Sequence, residues 1–509
     1  MSSTAYSALG RQFRFAEHGT TLPRDTIAGI TTFIVMSYII FVNPAILGFS
    51  GIEGLQDLGL PFDAVLTSTC LVAGVMTIAM GLFTNRAYAI APGLGLNAFV
   101  AFTLVANEGL GFPEAMGLIV IEGLAITILV LVGLREKIMR AIPLELKKAI
   151  AVGIGLFIGF IGLVNAGLVI RGEGTPVDLA KFTTWSTLIA VFGLVVTIAL
   201  RARGVPGDLL LGIVLTTVFA TLVNWANDYS VYPKALGYAR WPDDIFQAPN
   251  FGLVGEISFD AFSTLPVLAA VAFVFTLMIT DFFDTMGTLV GVGKQAGYLD
   301  ARGELPDIQR PLLVDSVAAA AGGFVSASSA TTYIESAAGV GVGGRTGWVS
   351  VVTGALFFPF MFIAPLIGMV PPQATAAALV VVAYLMITVL SEAEEEAELA
   401  DPGQDAPAEG RLDEPLTSPR RDVVTPGGRM IAGINFQDLA LGLSAALTIM
   451  IMPFSFSIAD GIGFGFIAYV LVRATQGLWN RVHPLMWLTA AAFVLYFVID
   501  VIEQHASWI

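Results

Sequence analysis

Fourteen apolar stretches, each near the 20 residues that cross a bilayer as a helix, run through this chain. They cover residues 25–47, 64–83, 88–106, 114–134, 143–170, 183–200, 207–225, 262–291, 311–327, 330–345, 347–368, 372–390, 434–453 and 457–475. A backbone embedded in lipid must satisfy its own hydrogen bonds, so continuous apolar runs of this length are expected to be helical. A transmembrane barrel would show short alternating segments, and these runs do not alternate. Only 13% of the 509 residues are charged and 56% are hydrophobic, against about 25% charged in an average soluble domain. That much apolar surface cannot be hidden in one soluble core. The fold class is therefore an all-α polytopic membrane protein.

Cations in the short loops set the orientation. Arg11, Arg14 and Arg24 precede the first stretch. Arg135, Lys137, Arg140, Lys147 and Lys148 follow the fourth, Arg201 and Arg203 the sixth, and Lys294, Arg302 and Arg310 the eighth. All fall on one side, which places the N-terminus in the cytosol. The long connection from Asn227 to Asp260 is poor in cations, as expected outside. No secretory signal peptide is expected from the polar, mixed N-terminal segment.

Several functions are disfavoured by composition. The net charge of -15 owes much to a single acidic run, Glu392 to Glu414. With no basic patch interleaved with aromatics, nucleic acid is not an expected partner. Cys70 is the only cysteine, and His18, His483 and His505 all lie away from the middle of the apolar stretches. Neither a disulfide within the chain nor a metal site is expected. Residues 391–430 are too polar to bury a core and read as a disordered cytosolic insert. A last apolar segment, 482–503, fits either a fifteenth span or an interfacial helix begun near Trp487.

Two stretches are poor continuous helices. The third contains Ala91-Pro92-Gly93-Leu94-Gly95-Leu96-Asn97-Ala98, and the tenth opens with the Ser/Thr run from Ser326 to Thr332, followed by Tyr333, Ile334 and Glu335. They are the third of the first seven stretches and the third of the second seven. Interrupted segments at matching places in two halves point to a transporter's midplane site. Close packing of small residues is the alternative.

Acidic residues sharpen this reading. Asp281 and Asp284 lie within the eighth stretch and Glu335 within the tenth. Each would cost about 2.5–3.5 kcal/mol facing lipid, so all three should face protein or a wet cavity. The spacing of three puts both Asp on one helical face. Burial and mutual repulsion oppose ionisation of both, so a carboxyl there can take up and release a proton. A structural hydrogen-bond hub is the competing role. Asn97 can both donate to and accept from an amide-like edge, and Tyr333 and Phe99 can stack on a planar ligand, though aromatics in a span usually pack the core. Glu122 reads as a packing anchor, and Asp315 and Asp460 as caps or interface residues near span ends.

At these residues the chain resembles the AzgA-like purine permeases, within the wider superfamily of nucleobase–cation symporters. The matching stretches are Ala28 to Phe33 with Val42-Asn43-Pro44, Ala91 to Phe99, Gly153 to Ile158, Asp281 to Gly287, Thr331 to Gly339, and Met452-Pro453-Phe454 through Gly461. The likeness runs from about residue 22 to 475, the acidic insert excepted. It implies fourteen spans built as two inverted seven-span repeats, with short extended pieces in spans 3 and 10. A core domain would comprise 25–134 and 262–368. A gate domain would comprise 135–225, 369–390 and 431–475. Residues 1–24 would be cytosolic, 226–261 an extracellular loop, and 476–509 a C-terminal apolar segment.

The resemblance also implies roles. Asn97, Asp281, Asp284, Tyr333 and Glu335 map onto the family's binding residues. Phe99 and Thr332 complete the candidate set, and Glu335 and Asp281 are the candidates for proton coupling. The segment Thr84 to Tyr88 departs from the family's pattern before span 3, which bears on substrate preference. The expected function is import of adenine, guanine or hypoxanthine across a plasma membrane by proton symport, with no cofactor and no enzymatic step. The expected partners are the purine, the lipid bilayer and, in one assembly, a second copy of the chain. A carrier of another nucleobase such as uracil or xanthine, and a channel, are the alternatives.

Overall fold

A computed structural model describes residues 9–52, 54–133, 142–172, 174–233, 237–300, 305–399 and 434–506. Arg135, Lys137, Arg140 and Arg302 lie outside the described residues, as does most of the 391–430 insert. Sixteen helices matter here: α1 Leu22–Met36, α2 Ile39–Leu47, α3 Phe62–Thr84, α4 Leu94–Ala98, α5 Phe112–Leu131, α6 Leu144–Asn165, α7 Trp185–Ala202 and α8 Asp208–Ala226 in the first half. The second half contributes α9 Val267–Ala296, α10 Gln309–Phe324, α11 Ser336–Gly341, α12 Gly347–Ala355, α13 Pro372–Leu399, α14 Leu439–Ser455, α15 Ile458–Thr475 and α16 Pro484–Ala506. Four short strands join them: β1 Ile90–Pro92, β2 Val169–Ile170, β3 Asp178–Leu179 and β4 Ala330–Thr332.

Among the described residues, eight helical stretches are long and apolar enough to cross a membrane. Ile128, Val195, Leu222, Leu471 and Leu488, from five different helices, are each more than half exposed. In water such a belt would be a liability; against acyl chains it is the expected outer surface. The protein is an integral membrane protein.

Several stretches that look continuous in the sequence are divided. The first, 25–47, breaks at Ser37 and Tyr38 into α1 and α2. The third becomes β1, α4 and a π-helix, Phe99–Asn107. The tenth becomes β4 and the short α11. The fifth ends at Asn165 rather than 170, and Val169–Ile170 pairs instead with Asp178–Leu179 in a hairpin. Helix α13 runs to Leu399, nine residues into the segment read as disordered insert. The last segment is the helix α16, packed through the buried Met486, Ala490 and Phe493. Phe493 meets Phe466 of α15 at 6.3 Å, and Tyr496 meets Phe273 of α9 at 5.3 Å.

Small residues let helices approach closely where the core needs it. Helices α3 and α12 meet along Gly74 and Gly81 on one side and Gly347 and Gly354 on the other. A Cβ on Gly347 would sit 1.9 Å from the Gly81 carbonyl oxygen, and one on Gly354 would sit 2.5 Å from that of Gly74. Both pairs are seven residues apart, two helical turns, so one stripe zips to the other. Gly81→Val is expected to force these helices apart, with a loss of about 1–3 kcal/mol from overpacking. The check is a lower melting temperature of the detergent-purified protein.

The Thr84–Tyr88 segment that departs from the family pattern closes this same seam. The Asn85 amide donates to the Phe13 carbonyl and its oxygen accepts from Gly347 N–H, while Ser350 donates to the carbonyls of Arg86 and Tyr88. Its contacts are with scaffold.

Candidate functional site

Two extended segments, 240 residues apart in sequence, cross inside the bundle. β1 and β4 pair antiparallel, with Ile90 opposite Thr332, Ala91 opposite Thr331 and Pro92 opposite Ala330. Three residue pairs do not hold a sheet together, so each backbone group needs other partners. Thr77 exchanges hydrogen bonds with both the N–H and the carbonyl of Ile90. Ser336 accepts from Ala89 N–H, Gly93 N–H donates to Ser329, and Tyr333 N–H donates to Ala89. Short helices α4 and α11 leave the crossing, so their N-terminal N–H groups end beside it.

The anchor of this crossing is Asp315, buried in the middle of α10. Its Oδ1 accepts from Thr332 N–H at 2.8 Å and from the Thr332 hydroxyl at 2.7 Å, and its Oδ2 accepts from Thr285 of α9 at 2.6 Å. The Thr285 and Thr331 hydroxyls lie 2.8 Å apart. Asp315 is thus no cap at a span end. Thr332, expected to touch substrate, is instead committed to Asp315.

Glu335 follows three residues later, at the start of α11. Its Oε1 accepts a hydrogen bond of 2.6 Å from the hydroxyl of Tyr38. Tyr38 occupies the break between α1 and α2 and is otherwise buried. Asp284 feels the charges of Glu335 and Asp315 and is accessible. Tyr333 lies within electrostatic reach of both acids. Its hydroxyl donates to the Pro92 carbonyl and its ring is buried, so it braces β1 against β4 rather than offering an open face.

The remaining candidates sit deeper. Asp281, one turn before Asp284, is fully buried on α9. Asn97 is fully buried on α4, which α9 contacts. Among the described residues neither the Oδ1 nor the Nδ2 of Asn97 has a hydrogen-bond partner. A buried amide left so costs about 1–3 kcal/mol per group, which a ligand edge or water would relieve. Phe99 is 1% exposed and packs edge-on to Phe273 at 6.0 Å, so it belongs to the core and does not face the opening. Glu122 is a buried anchor that accepts from Ser329 in the loop before β4. Asp460 lies in the first turn of α15, where its N–H donates to the side chain of Ser457, the residue that caps the helix.

Glu335, Asp284, Tyr333 and Tyr38 are thus brought together, and Asp281 and Asn97 lie on the packed elements beside them. Tyr38 and Asp315 were not among the site residues read from the sequence. Asn97→Leu, which keeps size but removes both polar groups, is expected to raise the KM for substrate about tenfold. Uptake measured across a concentration series, in cells with matched surface levels, checks this.

A helical bundle interrupted at two matched points, with acids gathered where the interruptions meet, defines a membrane protein of the transporter class. The chain belongs to the Permease family, whose sequence profile matches residues 24–397. It is a permease and not an enzyme. It is 36% identical to the adenine permease AdeP of Escherichia coli (strain K12) over 500 residues, 98% of this chain and 97% of that one. It is 34% identical to the guanine/hypoxanthine permease PbuG of Bacillus subtilis (strain 168), covering 96% of this chain and 98% of that one. Among solved structures, the transmembrane domain of a cyanobacterial bicarbonate transporter, BicA, superposes with a TM-score of 0.51 at 14% identity, covering 72% of this chain and 88% of that one. The murine anion transporter Slc26a9 in its inward-facing state gives 0.55 at 12% identity, covering 89% and 69%. These two likenesses concern the fold.

Proposed function

We propose that this protein carries purine nucleobases, namely adenine, guanine or hypoxanthine, into the cell by proton symport. Fourteen spans in two inverted repeats would supply a core, 25–134 with 262–368, and a gate, 135–225 with 369–390 and 431–475. The N-terminus is cytosolic in this reading. Alternating access moves the core against the gate and carries the β1–β4 crossing with it.

The observation that carries the reading is the pairing of Glu335 with Tyr38 beside the accessible Asp284. A purine presents ring N–H and exocyclic groups along one plane. Carboxylate oxygens at Glu335 and Asp284 accept from such donors, and the unpartnered amide of Asn97 can read a second edge. Two acids within reach of each other, in a place of low dielectric, also favour holding one proton between them. Loading of a proton and loading of the base are thereby linked, with Glu335 and Asp281 or Asp284 as carriers. The purines named for AdeP and PbuG support the choice of substrate.

The test is uptake of labelled adenine, guanine and hypoxanthine, with competition by a panel of unlabelled purines and pyrimidines. Saturable uptake that competing purines inhibit and an uncoupler abolishes is expected. Uptake insensitive to the uncoupler would exclude proton symport. Inhibition by uracil or xanthine alone would transfer the assignment to another nucleobase.

A further inference from the structure

A cavity of about 190 Å³ lies at the end of α6 opposite Lys147 and Lys148, and none of its lining residues belongs to the β1–β4 crossing. One wall comes from the π-helix, with Phe102, Ala106 and Asn107. The other comes from Val164 and Asn165 at the end of α6 and from Phe456 at the turn between α14 and α15. The first wall belongs to the proposed core and the second to the proposed gate.

Aromatic rings pack together along one part of the chamber's wall. Phe456 meets Phe102 at 6.2 Å and Phe157 at 5.9 Å, and Phe102 meets Phe157 at 6.2 Å. The Phe456 backbone is left-handed, at φ 53°, and its carbonyl accepts from the Asn107 amide. Among the described residues, no charged side chain lines the chamber. Asn165 does, is 3% exposed, and its Oδ1 accepts no hydrogen bond among the described residues.

These features describe a ligand. The volume exceeds the roughly 30 Å³ of one water several-fold but falls short of the roughly 300 Å³ of a drug-sized pocket. Aromatic walls favour a flat ring, the lack of charge among the described residues favours a neutral one, and a turn of the enclosed Asn165 side chain would present its unpartnered oxygen to an N–H. We propose that this chamber is an outer binding site for a neutral nitrogen heteroaromatic with an N–H edge, occupied by the transported base before it reaches the central site. The identity of the occupant rests on the purine reading above. Because the two walls lie on parts that must slide past each other, a base held there also holds core and gate in the arrangement that receives it.

The experiment compares entry from the two faces. Initial rates of labelled adenine uptake are measured in right-side-out and in inverted membrane vesicles. The proteins are the full chain, Asn165→Ala and Ala106→Phe. Asn165→Ala removes the acceptor, and Ala106→Phe fills the chamber from the opposite wall. Both are expected to raise the KM at the outer face at least fivefold more than the KM at the cytosolic face. If wild type carries adenine but the two variants shift both KM values equally, or neither, the outer site is refuted. Should Asn165→Ala fail to fold, judged by size-exclusion profile, Ala106→Phe decides alone. If wild type carries no purine from either face, the functional reading falls and the occupant proposed here falls with it.

Discussion

Glu335→Gln is expected to reduce uptake of adenine, guanine and hypoxanthine at least 100-fold, with normal amounts of protein in the membrane. A factor of 100 corresponds to about 2.7 kcal/mol of barrier. The substitution is nearly isosteric, so α11 and the strand crossing should persist. What goes is charge and proton capacity. A carboxylate accepts from Tyr38 at 2.6 Å and still has lone pairs for a substrate N–H. An amide keeps one acceptor oxygen and brings two donors into a place built for acceptors. Tyr38→Phe tests the same contact from the other side. It removes one hydrogen bond to a charged group, worth about 1.5–3 kcal/mol, and should cost about tenfold or more. Initial rates normalised to surface protein are the measurement. Wild-type uptake by Glu335→Gln would remove this residue from the site.

Asp315→Ala is expected to act through stability instead. Three donors, Thr332 N–H, the Thr332 hydroxyl and the Thr285 hydroxyl, converge on this one carboxylate. Truncation leaves both Thr332 donors buried without this acceptor and leaves the Thr285 hydroxyl only that of Thr331. Each buried donor left unpaired costs about 1–3 kcal/mol, so the loss is about 3–5 kcal/mol in all. That should lower the melting temperature by roughly 3–5 °C and reduce the amount of mature protein. Asp315→Asn keeps one carbonyl oxygen for Thr332 and should fall between Asp315→Ala and wild type. Uptake should decline with stability in both, because Glu335 hangs on the strand that Asp315 fixes. The two acids are therefore separable: Glu335→Gln melts near wild type and does not transport, whereas Asp315→Ala melts early.

Much of the architecture was legible because lipid makes apolar run length informative. The two interruptions were legible as well, since Pro92, Gly93 and Gly95 cannot sit comfortably in an uninterrupted helix, nor can the Ser326–Thr332 run. Their pairing as strands was not, because nothing in Ile90–Pro92 names Ala330–Thr332 as its partner. Tyr38 stayed hidden for a similar reason. It is one aromatic among many in an apolar stretch, and its partner lies 297 residues away. Asp315 was read as a cap because it falls close to the edge of its apolar window, yet α10 begins earlier, at Gln309. Phe99 and Thr332 are near the crossing in sequence but point into packing, which side-chain chemistry alone does not reveal. Spacing put Asp281 and Asp284 on one face, but only the fold makes one fully buried and the other accessible.

The ladder between Ile90–Pro92 and Ala330–Thr332 has a bearing on how the molecule is made. The ribosome releases the first of these segments roughly 240 residues ahead of the second. During that interval the nascent third segment lacks the partner that will satisfy its exposed amides, and hydrocarbon offers none. The newborn N-terminal half must therefore keep this piece near water, or shielded by the insertion machinery, until the C-terminal half arrives. Final assembly is thus a late, whole-chain event, and a fragment stopped before Ala330 should be recognised by quality control as unfinished.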